Sequence, residues 1–144
     1  MAPAVTIDDI KAARDAIAGV IPVTPAIPSS SLSERLGCRL TLKLENLHHT
    51  GSFKERGAFN KLRSLGGDAR RGGVIAASAG NHAQAVAHHA TRLGIPSTIV
   101  MPRQTPFTKV SRTEGFGGRI VLIGDNLSES QIHAERLAAE QGLT

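Results

Sequence analysis

Residues 74–123 read VIAASAGNHAQAVAHHATRLGIPSTIVMPRQTPFTKVSRTEGFGGRIVLI, and this stretch decides the fold. Three apolar runs, VIAAS from Val74, STIVM from Ser97 and RIVLI from Arg119, have strand length and near-continuous hydrophobicity, the pattern of strands covered on both faces. Between them, HAQAVAHHATRL sets Val86, Ala90 and Leu93 along one helical side before Gly94, and PFTKVSRTEGF opens on Pro106, suited to a first helical position. A third helix is expected over Leu127–Gln141. Thr105 caps one of these helices in this reading, and Asn126, with Glu129 three residues on, caps the other. Strands alternating with helices mean βαβ crossovers. The expected fold is α/β, a three-layer αβα arrangement around an open, mostly parallel sheet. Another strand is expected where the sequence stops at Thr144, so the C-terminus reads as a cut inside a larger fold.

Upstream, SFKERGAFNKLRSL forms a helix opened by Ser52, with Phe59, Leu62 and Leu65 spaced for burial and Gly66-Gly67 closing it. RLTLKLEN alternates Leu40, Leu42 and Leu44 with polar residues, either a strand with one buried face or half of a hairpin at a sheet edge. VIPVTPAIPSSSLSERLG carries three prolines and a serine run. It reads as an extended connector with a short helix from Leu32, capped by Ser31 and Glu34. Thr6 and Asp9 start an N-terminal helix whose apolar stripe is Ile10, Ala13 and Ile17, ended by Gly19 and Pro22.

At 144 residues the chain can bury one core but not two, which excludes a complete two-domain enzyme. Seventeen basic against twelve acidic residues give a net charge of +5, yet the arginines are dispersed and Trp and Tyr are absent, so no base-stacking surface is expected. No nucleic-acid partner follows. Cys38 is the only cysteine, which excludes an intrachain disulfide and a thiolate zinc cluster and reads as a small buried apolar residue. His48-His49 and His88-His89 are adjacent pairs whose members point to different sides of a helix, and no metal is expected. Glu114 and Glu135 belong to a solvated face. No basic stretch precedes an apolar run at the N-terminus and no apolar run reaches membrane-spanning length, so no membrane partner and a cytoplasmic location are expected.

Two segments could carry chemistry. In HHTGSFKERG, Lys54 falls in the first turn of a helix, where its charge faces the positive end of the dipole. That field, with burial, favours a neutral amine able to act as nucleophile or base; a solvated first-turn lysine is the alternative. In AASAGNHAQ, a strand end runs into a helix start through Ser78, Ala79, Gly80, Asn81 and His82. Ligands of open α/β sheets bind beyond the strands' carboxyl ends, and free N–H groups there suit a carboxylate-sized anion. The spacing matches neither a dinucleotide nor a nucleoside triphosphate fingerprint. A capped helix without a ligand is the competing reading.

TGSFKERGA and SAGNHAQ, with KLEN upstream and LGIPSTIVMP and TPFTKV downstream, resemble the pyridoxal-phosphate (PLP) enzymes of the threonine dehydratase (threonine ammonia-lyase) and serine dehydratase family, fold type II. The resemblance covers residues 10–144. It implies pyridoxal 5'-phosphate as cofactor and a sheet like the small domain of the tryptophan-synthase-β-like fold. By the same resemblance, residues 1–50 belong to the large domain and residues 51–144 to the small one, the rest of the large domain being absent. Lys54 matches the lysine that binds the cofactor and exchanges the substrate's Cα proton, Phe53 the residue packed on the pyridine ring, and Asn81 the group bonded to the cofactor hydroxyl. Ser78, Ala79, Gly80, Asn81 and His82 match the loop that holds the substrate carboxylate. The implied reaction converts L-threonine, with L-serine as an alternative substrate, to a 2-oxo acid and ammonia in a homo-oligomer of the full-length protein. Related serine racemases carry a second serine where this chain has Ala79, so the racemase subtype is disfavoured. His48 and Ala85 depart from the commoner glutamine and glycine. Neither Gly72-Gly73 nor Gly117-Gly118 forms the glycine-rich phosphate loop of the family, which keeps open a second reading, a non-catalytic fragment that packs against a partner chain.

Overall fold

A computed structural model describes residues 4–144. The stretch that decides the fold forms β3 (Val74–Ala77), α5 (Asn81–Arg92), β4 (Ser97–Met101), α6 (Phe107–Gly115), β5 (Arg119–Leu122) and α7 (Leu127–Gln141). The strands are parallel in the order β3-β4-β5, with Val74 opposite Ser97 and Thr98 opposite Arg119. Helix α5 packs on β3 and β4 and touches α6, while α7 also packs on β3 and β4, giving the expected αβα layering. Ile99, Val100 and Met101 of the central strand are completely buried. Close packing needs two glycines here. A Cβ on Gly118 would stand 2.9 Å from the Ala87 Cβ, and Gly73, at φ +96°, lies against the Pro96 carbonyl.

The N-terminal half is built differently. Helix α1 (Ile7–Ile17) begins at Thr6, whose hydroxyl accepts the Asp9 N–H while the Asp9 carboxylate accepts the Thr6 N–H, as the sequence predicts. Ile17 and Ile21 pack on Phe59 of α3 (Lys54–Arg63), and α3 lies along α5. Strands β1 (Ala26–Pro28) and β2 (Thr41–Lys43) form a two-stranded antiparallel ribbon, joined by α2 (Ser30–Leu36).

Several expectations need correction. The proline-rich connector contains β1, which tolerates Pro28 because it is an edge strand. Helix α2 starts at Ser30, before the expected Leu32, and no side chain caps it; Ser33 instead donates to the Ser29 carbonyl and accepts the Leu40 N–H. The leucine alternation makes the hairpin half, not a buried-face strand, since all three β2 residues are exposed. Gly66-Gly67 does not close α3, which ends at Arg63 with Ser64 as its C-cap, but opens the short α4 (Gly67–Gly72). Pro106 is the N-cap of α6, not its first residue, and Thr105 does not cap it. Asn126 does cap α7, accepting the Glu129 N–H at 3.0 Å. Cys38 is exposed, in the segment between the left-handed turn at Gly37 that ends α2 and the exposed strand β2. Glu114 and Glu135 are solvent-exposed, as expected.

At the C-terminus, the Thr144 N–H donates to the Gly73 carbonyl and the Ile75 N–H donates to the Thr144 carbonyl. This is a parallel bridge on the side of β3 away from β4.

Candidate active site

Lys54 is the first residue of α3, and two carboxylates, the fully buried Glu55 and the half-buried Glu45, brace the segments around it. Behind it, Glu55 is fully buried and accepts the Thr50 N–H at 2.5 Å, which ties the loop before Lys54 to the helix after it. The turn is made by Gly51 at φ +75°, and the buried Ser52 accepts the Lys54 N–H at 3.3 Å. Below it, Glu45 takes two hydrogen bonds from the Arg56 guanidinium, at 2.7 and 2.8 Å, with His48 at 3.0 Å and the Thr24 hydroxyl beside them. The Arg56 bonds, opposed by burial and helped by Thr24 and His48, hold the Glu45 carboxyl well below the usual carboxylate range. Lys54 itself is exposed, so the burial expected for its amine is not there. Its Nζ stands 5.1 Å from the centroid of the Phe53 ring, which is 59% exposed.

The second segment lies at the strand-to-helix turn from β3 to α5. Gly80 is the N-cap in extended conformation, and no side chain caps the helix, leaving its first N–H groups free of a side-chain acceptor. Ser78 accepts the Gly80 N–H at 3.3 Å and so shapes the turn from inside. A Cβ at Gly80 would meet nothing within 4 Å, so the backbone there is open to an approaching group. Asn81 and His82 are exposed on the first turn, while Ala79 packs partly into the core. Desolvation of the His82 ring against the protein, followed by the nearby Lys54 ammonium, lowers the His82 pKa. The packing of α3 along α5 brings together the two segments that the sequence singles out.

Sequence reasoning overlooked the polar groups that support the site. Glu45, Glu55, Arg56 and His89 are all in or near KLEN, KERG and the α5 helix, and a glutamate directly after Lys54 is the signal that would have found the second. His89 is fully buried, with its Nε2 3.4 Å from Glu55 Oε2. Burial, and then the neighbouring His88, pushes the His89 pKa down to about 4.

A family profile described as "Pyridoxal-phosphate dependent enzyme" matches residues 17–144. The chain belongs to that family. It is 46% identical over 138 residues to the L-threonine ammonia-lyase of Thermotoga maritima, a match covering 96% of this chain and 34% of that protein. Among solved structures it resembles processed threonine deaminase isoform 2 from Solanum lycopersicum, with a TM-score of 0.85 and 36% identity over 97% of this chain and 42% of that one. It also resembles maize serine racemase, with a TM-score of 0.91 and 35% identity over 99% of this chain and 43% of that one. The chain thus spans well under half the length of these PLP-family relatives, and the fold is the α/β fold of type II.

The residues present fit the carbonyl-bearing side of pyridoxal phosphate: a solvent-accessible primary amine at Lys54, with an uncapped helix start and an exposed amide at Asn81 across the gap. The paired glycines serve packing. Gly72 and Gly73 lie against Gly142 and Pro96, and Gly117 and Gly118 against Thr91 and Ala87, so neither pair is free to wrap a phosphate. No described helix is long and apolar enough to cross a membrane.

Proposed function

We propose that the protein containing this chain deaminates L-threonine, and L-serine as a second substrate, to a 2-oxo acid and ammonia. The observation that carries this reading is the pairing of Lys54 at the start of α3 with the uncapped turn of residues 78–82 at the start of α5. The names of the Thermotoga and tomato relatives support it.

Pyridoxal phosphate, when bound, supplies an electron sink for cleavage of the substrate's Cα–H bond. In this reading Lys54 holds the cofactor through its Nζ and moves the Cα proton, Phe53 covers the ring, and Asn81 donates to the ring hydroxyl. The backbone N–H groups around Gly80 and Asn81, with the Ser78 hydroxyl and His82, bind the substrate carboxylate. The lowered pKa keeps His82 neutral near pH 7, so it adds a hydrogen-bonding group without a second cation beside Lys54. Ala79 offers no proton to the opposite face of the substrate, which supports a one-sided lyase over a racemase despite the likeness to the maize enzyme. Residues 1–50 belong, in this proposal, to the large domain of a homo-oligomeric parent, and residues 51–144 to the small domain.

A specific observation favours the second reading for the 144-residue chain alone. Ile7, Ile10, Val23, Leu36 and Leu47 are all exposed on its N-terminal half, an apolar surface suited to packing against further protein. The experiment that separates the two is to add pyridoxal phosphate to the purified chain and follow 2-oxobutanoate or pyruvate, with Lys54→Ala as the blank. The chain alone is expected to bind the cofactor weakly through Lys54 and to release no appreciable product. In the longer protein, Lys54→Ala is expected to abolish turnover, and Asn81→Ala to lower kcat/KM with the fold intact. Turnover in the parent that survives Lys54→Ala would overturn the assignment.

A further inference from the structure

A buried polar cluster between α3 and α5 is not used by the reaction just described. Glu55 is completely buried, and only one of its carboxylate oxygens has a hydrogen bond, from Thr50; Oε2 has none. His88 Nε2 and both ring nitrogens of His89 are likewise buried without a hydrogen-bond partner. One donor atom from each of Glu55, His88 and His89 lies within 4.8 Å of the other two. The two histidines are neighbours on α5 and cannot form a site by themselves, as the sequence implies. It is the packing of α3 along α5 that brings a carboxylate to them.

We propose that Glu55, His88 and His89 form a binding site for a single divalent cation of the zinc class. The donor set selects this class: two imidazoles and one carboxylate suit zinc and its transition-metal neighbours, whereas calcium and magnesium require shells built mainly of oxygen. Among the described residues, the only ion-pair partner of Glu55 is His89, so the buried charge has no lysine or arginine to balance it. A bound cation would balance that charge and occupy all three orphaned donors together. Bonds of about 2.0–2.2 Å need small rotations of the rings and the carboxylate to close the cluster. Beside the cluster, the exposed His49 ring has its centroid 5.4 Å from that of His88.

The test uses untagged protein stripped of metal with a chelator, then titrated with Zn²⁺ or Co²⁺ in the absence of pyridoxal phosphate. One equivalent retained through gel filtration is expected, together with a higher Tm and a visible cobalt spectrum of nitrogen and oxygen ligation. Glu55→Gln and His88→Gln should each weaken binding by more than the roughly 10–100-fold typical of an outer-shell change. His88 is only partly buried, so His88→Gln remains informative if Glu55→Gln fails to fold. His133→Gln, on α7, should leave the affinity unchanged. Failure of the unmutated protein to retain stoichiometric metal, or equal affinity in His88→Gln, overturns the proposal. Neither result depends on turnover, so the site stands or falls separately from the proposed reaction.

Discussion

The parallel unit β3-β4-β5 and the ribbon β1-β2 are both made from short strands, yet they end in opposite environments. Ile99, Val100 and Met101 of β4 have no solvent exposure, whereas every residue of β1 and β2 is exposed. The difference is in the neighbours. Helices α5 and α7 cover the parallel sheet on two faces, and β1-β2 pair with each other without such a cover. A strand pattern specifies extended backbone, and it is the layers packed against it that determine burial and stability.

The sharpest way to break this comparison is to truncate both strands. Ile99→Ala should cost about 2–5 kcal/mol in urea unfolding, as a fully buried large-to-small change. Leu42→Ala on the exposed ribbon should stay within about 0.5 kcal/mol. Equal losses at the two positions would show that the ribbon belongs to the same cooperative unit.

Acid should separate the regions next. The pKa of His82, His88 and His89 is lowered in the folded chain, so the unfolded state takes up protons first. Their stabilising contribution is complete above the ordinary histidine value of 6.5 and is lost as pH falls toward about 4, the folded value of His89. Glu45, whose pKa is lowered, keeps its contribution above the ordinary value of 4.5 and loses it only as pH falls further. Thermal melts should therefore show Tm declining from pH 6.5 downward, and His89→Asn should flatten that slope. The link from Thr24 through Glu45 to Arg56 should persist to lower pH, as read by amide hydrogen exchange of the ribbon.

The smallest effect comes from matched helix caps. Asn126→Ala on α7 should cost about 1 kcal/mol in the main transition. Thr6→Ala removes an equivalent cap from α1, but α1 meets the body mainly through α3, so it should fray locally and leave the main transition in place. Exchange rates in α1 that rise without a change in midpoint would confirm this.

Most of the parallel unit was legible, because strand length, helix period and the Asn126 cap are local signals. The ribbon was only half legible: the pairing of Ala26 with Lys43 is a long-range choice that the proline spacing conceals. Lys54 and residues 78–82 stood out through their positions at helix starts. Glu55 did not, since its role depends on the packing of α3 along α5, a tertiary contact that no single segment encodes. Cys38 was misjudged for the same reason, as its exposure follows from what fails to cover the turn at Gly37.

The two hydrogen bonds made by Thr144 have one further consequence. They align Thr144 with Val74, and the parity of the ladder to β4 leaves the Ile75 carbonyl and the Ala77 N–H directed to the same outer edge of β3. The edge is therefore already indexed: any strand that extends the sheet there has its register dictated by a single residue, before its own side chains make contact. Successive side chains of such a strand would drop alternately toward Leu62 and Val86 on one face and Ala134 and Ala138 on the other. The sheet thus carries a built-in ruler for its own growth.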